Sequence, residues 1–170
     1  NVNVLVYGAL KLVDDRYWAI TPRFYISSIA TQDRAAEIME DGGLVAPVAY
    51  IRGLASSRNA AVDQLIPSLE VLFALHQGLD LYDQGTVSGY EQAAALLCTY
   101  ADKLRASGIS NGVDLLFLFC GHAYSDLLLL EDTAVPATAQ TYQEQAILAY
   151  RDAVKLKPDG LRGVISLAAM

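Results

Sequence analysis

Residues 146–159 read AILAYRDAVKLKPD, with Ala146, Tyr150 and Ala153 recurring at helical intervals before Pro158. A helix with that spacing presents two small side chains and one ring on a single face. Pro158 stops it, because the residue before a proline resists the α conformation. Small residues on one stripe imply a second helix lying close alongside.

That second helix is sought upstream. LFLFCGHAYSDLLLL (116–130) precedes TYQEQAILAYRDAVKLKP (141–158), and LFALHQGLDLYDQG (72–85) precedes YEQAAALLCTYADKL (90–104). Each couple has a first helix with an internal glycine, Gly78 or Gly121. Each second helix carries Ala, then an aromatic or Cys four residues on, then Ala three further.

This pattern resembles the tetratricopeptide repeat, a helix-turn-helix unit of 34 residues. In the second couple Phe117, Cys120, Gly121 and Tyr124 fall on the first-helix signature, and Ala146, Tyr150, Ala153 and Pro158 on the second. In the first couple Gly78, Ala94, Cys98 and Ala101 match. Two departures stand out. Phe117 replaces the family's bulky Trp, and about 13 residues beyond the family spacing separate the helices of the second couple. The resemblance covers roughly residues 70–170. It implies close packing at Gly121 and Ala146, Tyr150 filling the groove toward the next pair, and a concave face that takes a partner peptide or helix. Groove candidates between the packing positions are His76, Asp80, Asn111, His122 and Asp126. An acidic groove of this kind prefers a basic partner.

Periodicity sets the remaining elements. Helices are expected over 58–82, 90–106, 113–130 and 138–156, with a fifth opening at Leu161. Pro67 predicts a kink or a fresh start within the first. Residues 3–27 alternate with period two, and Asp14-Asp15 marks a turn, so a β-hairpin is expected there. Pro22 lacks an amide donor and predicts an edge or a bulge. Residues 31–40 suit a short helix or loop, and 44–51 a third strand. This N-terminal part, LVYGALKLVDDRYWAITPRFYI, resembles strand segments that join effector domains to repeats in bacterial signalling proteins. The fold expected is α+β: a small β-containing segment over 1–55, then a tetratricopeptide-like solenoid over 56–170. The chain reads as a piece of a longer polypeptide.

Composition limits the chemistry. The chain is 54% hydrophobic and 18% charged, with net charge −7, which argues against broad binding to nucleic-acid phosphates. The apolar run at 115–130 is broken by Gly, His, Ser and Asp, so no membrane span is expected, and no signal peptide is visible. There is no phosphate-binding loop, no His-Glu-x-x-His and no Gly-x-Ser-x-Gly. His122 follows Cys120 by two residues, the wrong spacing for shared ligation on a helix. No metal, cofactor or catalytic group is expected. Cys98 and Cys120 are expected as two buried thiols, with a disulfide, a redox pair or a metal site as the other options.

The expectation is therefore a non-catalytic, cytoplasmic interaction scaffold, the regulatory or sensor part of a longer signalling protein. Self-assembly into dimers or filaments through stacked repeat ends is the alternative.

Overall fold

The computed structural model describes residues 3–13, 17–27, 49–52, 58–130 and 136–170. By internal contacts the chain divides into two compact units, Asn1–Leu72 and Phe73–Met170.

In the first unit, β1 (Asn3–Val13) pairs antiparallel with β2 (Tyr17–Ser27), and β2 with β3 (Ala49–Arg52). The register opposes the apolar sets of the two long strands: Val4 with Ile26, Val6 with Phe24, Leu10 with Ile20 and Leu12 with Trp18. Pro22 lies opposite Gly8 in an unbroken register, so no bulge forms. Strand β3 pairs only with Tyr17–Ile20, which leaves Pro22 on a one-sided stretch that needs no second donor. The turn at 14–16, the segment at 31–40 and residues 44–48 lie outside the described residues.

Five helices follow: α1 (Arg58–Tyr82), α2 (Val87–Ala106), α3 (Val113–Leu130), α4 (Pro136–Leu156) and α5 (Leu161–Ala168). Helix α1 is continuous through Pro67 and does not restart there. Helix α2 begins earlier than the periodicity suggests. Thr86 caps it, its hydroxyl oxygen accepting from the Gly89 amide at 3.0 Å. Its far end closes with the Gly108 amide on the Arg105 carbonyl and the Ile109 amide on the Leu104 carbonyl. Gly108 has φ +80°, the left-handed conformation this closure requires.

Helix α3 forms the centre of the second unit, packed between α2 and α4. Ten of its residues are buried, among them Leu115 through Gly121. By length and composition it is apolar enough to cross a membrane. Its buried side chains lie between α2 and α4, while Leu129 and Leu130 at its end are exposed. The core is completed by Leu75 and Leu79 of α1, Ala93, Ala94, Leu97 and Ala101 of α2, and Ala146, Tyr150 and Ala153 of α4.

Two close approaches explain the internal glycines. A Cβ on Gly121 would lie 2.5 Å from the Tyr150 ring, and one on Gly78 would lie 2.4 Å from the Leu97 side chain. The Tyr150 ring lies on Gly121 within its own helix couple. Its hydroxyl end also meets Ser166 of α5.

The cysteines require a correction. Cys98 and Cys120 are joined in a disulfide with Cα atoms 5.6 Å apart, and no thiol is free. The two are equidistant in sequence from Ile109, in the turn between α2 and α3. Antiparallel packing about that turn brings equidistant residues face to face.

Candidate functional site

The ends of four helices meet on one side of the second unit: the C-termini of α1 and α3 and the N-termini of α2 and α4. Aromatic and acidic side chains gather there. Tyr82 is buried, and its hydroxyl donates to the Asp126 carboxylate. Its ring stands edge-on to Tyr90, with centroids 4.7 Å apart. Tyr124 of α3 lies 6.1 Å from Tyr142 of α4, whose hydroxyl donates to Glu91 Oε1 of α2 at 2.8 Å. These rings supply contact area, while their hydroxyls tie neighbouring helices together.

One turn deeper, the Tyr150 hydroxyl lies 2.9 Å from Ser125 Oγ and 3.3 Å from His122 Nδ1. The His122 ring meets Tyr150 edge-on at 5.6 Å and Phe119 at 5.8 Å. Burial raises the Tyr150 pKa, the Asp126 charge adds to the rise, and hydrogen bonds with Ser125 and Ser166 offset part of it. Burial alone raises that of Tyr124. Both phenols therefore stay neutral to higher pH than a free tyrosine. Met170 closes over this region, its Sδ 3.4 Å from Ser125 Oγ and its carbonyl accepting from Gln143 at 3.4 Å.

The opposite end is built differently. Arg105 donates to Asp102 at 2.6 Å and to Asp152 at 3.1 Å, and its guanidinium lies 4.9 Å from the Phe117 ring centre. Lys155 donates to Asp152 at 2.7 Å. Burial pushes the Asp152 carboxyl upward in pKa, but the hydrogen bonds and charges of Lys155 and Arg105 outweigh it and hold the group below its ordinary range. Cations and carboxylates here neutralise one another.

The five groove candidates are distributed as follows. His122 and Asp126 lie side by side on α3, within the tyrosine cluster. His76 and Asp80 form a second pair on α1, with Nδ1 3.4 Å from Oδ2 at ion-pair distance but without hydrogen-bond alignment. Asn111 is exposed in the turn before α3. Fifteen residues separate it from Asp126, about 22 Å along the helix axis, so it stands apart from the cluster. The sequence missed Tyr82, Ser125, Glu91 and Met170 as neighbours of the candidates. The signal for Tyr82 was present: Tyr82 and Tyr90 are equidistant from Thr86, as Cys98 and Cys120 are from Ile109. Of the packing candidates, Ala94, Phe117, Ala146, Tyr150 and Ala153 are buried, Tyr124 is half-buried, and Pro158 is exposed in the turn after α4.

Among the described residues no group of three His, Cys, Asp or Glu side chains is arranged to hold a metal ion. The chain matches no protein-family model, no curated protein and no solved structure.

Proposed function

We propose that the helical part is a non-catalytic interaction scaffold of the tetratricopeptide kind, in which α1/α2 and α3/α4 act as stacked helix pairs and α5 opens the next. Its partner is a basic peptide or helix that docks on the tyrosine-rich end. The N-terminal strands connect this scaffold to the rest of a longer bacterial signalling protein, for which it serves as the regulatory or sensor part.

The observation that carries this is the segregation of charge along the helices. No Lys or Arg occurs between Arg58 and Lys103, or between Arg105 and Arg151. All the Lys and Arg residues after Phe73 therefore lie in the far halves of α2 and α4, in the turn after α4 or at the start of α5. Asp80, Asp83, Glu91 and Asp126 gather at the tyrosine end. A partner bearing Lys or Arg meets carboxylates there, and rings whose faces attract cations. At the opposite end Arg105 and Lys155 sit against Asp102 and Asp152, so cations and carboxylates are mixed there.

Titration of labelled synthetic peptides by fluorescence anisotropy tests this. Lys/Arg-rich peptides should bind, weaken as salt rises, and lose about tenfold in affinity against an Asp80→Lys/Asp126→Lys variant. Equal binding of acidic peptides, or an unchanged variant, would remove the reading.

One observation favours self-assembly as a second reading. Val164 and Ile165 of α5 are 44% and 57% exposed, and Leu148 of α4 is 52% exposed. Light scattering of the Val164→Asp/Ile165→Asp variant across concentrations tests it: an oligomer that becomes monomeric supports stacking through this end.

A further inference from the structure

The Cys98–Cys120 bond supports an inference independent of the scaffold proposal. The bond joins α2 to α3, the second helix of one couple to the first helix of the next. It lies beside Ala94, whose carbonyl oxygen is 3.5 Å from Cys120 Sγ, and Ala94 and Ala101, on the turns of α2 before and after Cys98, are fully buried. Its two residues differ in burial: Cys120 is fully buried, whereas Cys98 is half-buried and nearer solvent than its partner. Both cysteines of the chain are consumed in it.

We propose that this bond is a maturation cross-link, formed in an oxidising compartment, and that Cys98 is the sulfur through which thiol–disulfide exchange runs. In the forward direction the Cys98 thiolate attacks the S–S bond of an oxidant that is itself a disulfide, a dithiol oxidoreductase or oxidised glutathione. A mixed disulfide forms and one thiol leaves. The Cys120 thiolate then attacks Cys98 Sγ, closing the internal bond and releasing the second thiol. Two protein thiols are oxidised, and one oxidant disulfide is reduced to two thiols. In reverse, a reductant thiolate reaches Cys98 Sγ and must expel the Cys120 thiolate into an apolar seam. Such surroundings raise a thiol's pKa and make it a poor leaving group. The folded protein therefore resists reduction. Stable structural disulfides belong to oxidising compartments, which sets this proposal against the cytoplasmic setting expected from the sequence.

The test uses the full chain, exported to a bacterial periplasm and purified without reductant. Intact mass and maleimide labelling in denaturant should show no free thiol, and two after treatment with a phosphine reductant. Reduction should lower the melting temperature by about 10 °C or more. In native single-cysteine variants, Cys98 in Cys120→Ser should react with an aromatic disulfide reagent at least about tenfold faster than Cys120 in Cys98→Ser. Two free thiols in the exported protein, or an unchanged melting temperature on reduction, overturns the cross-link. Equal reactivity of the two single-cysteine variants overturns the exchange route. The mass and labelling measurements need no variant, so they decide the first question even where a variant fails to fold.

Discussion

Against α2, helix α3 is held by a covalent bond, Cys98–Cys120, and by Arg105 over the Phe117 ring. Against α4, one turn of the same helix offers Gly121, and the Tyr150 ring lies where a Cβ would be. Adjacent residues, 120 and 121, thus close opposite seams by different means. The first seam is fixed by connectivity and does not depend on fine shape. The second has no covalent link and is fixed by the fit of the Tyr150 ring on Gly121, with the Tyr150 hydroxyl pinned by Ser125 and His122. Damage to the two seams should differ in kind as well as in size.

The largest effect is expected at the shape-dependent seam. Tyr150→Ala removes a ring that is 2% exposed and should cost about 3–5 kcal/mol in urea unfolding, in the range for buried aromatics. Tyr150→Phe keeps the ring and loses only the hydroxyl contacts, a loss of about 1 kcal/mol. If the two variants were equally destabilised, the hydroxyl network and not the ring would close the seam.

A sharper comparison sets the two glycines against each other. Alanine is the better helix former by about 1 kcal/mol, so either substitution gains locally. Overpacking a core costs about 1–3 kcal/mol. At Gly121 the new methyl meets a ring whose far end is tethered, so the cost should win and Gly121→Ala should lower stability. At Gly78 it meets Leu97, which has no polar tether and can turn its branched end. Gly78→Ala should therefore cost less than Gly121→Ala by about 1 kcal/mol. The reverse order in thermal unfolding would mean that the α1/α2 seam is the tighter one.

Much of the helical architecture is legible in the letters. The bounds of α1 and α3 follow from apolar periodicity, because long buried helices carry continuous apolar stripes. The start of α2 is less legible. Gly89 suggests a turn, and the cap at Thr86 three residues earlier is seen only through its bond to the Gly89 amide. The disulfide was hidden for another reason. Its spacing matches no local motif, and its geometry arises only once α2 and α3 fold back about Ile109. The candidate site was half legible. His122 and Asp126 share a face by spacing alone, but Tyr82 reaches Asp126 from another helix, and Asn111 was placed by nearness in sequence and lies a helix length away.

Two neighbouring residues of α4, Tyr150 and Asp152, should also answer oppositely to pH. The Tyr150 pKa is raised above its ordinary value of about 10. The fold favours the protonated phenol there. That stabilisation is complete below about pH 10 and is lost as pH rises through the folded-state value. The Asp152 pKa is lowered below its ordinary value of about 3.9. The fold favours the carboxylate, so that stabilisation is present above about pH 3.9 and is lost as pH falls through the folded-state value. Tyr150→Phe should flatten the alkaline limb of a melting-temperature profile and leave the acid limb in place. Asp152→Asn should do the reverse, and by less, because the Arg105 and Lys155 side chains it pairs with are substantially solvated. A profile in which Asp152→Asn altered the alkaline limb would show that the two groups, two residues apart on α4, are coupled.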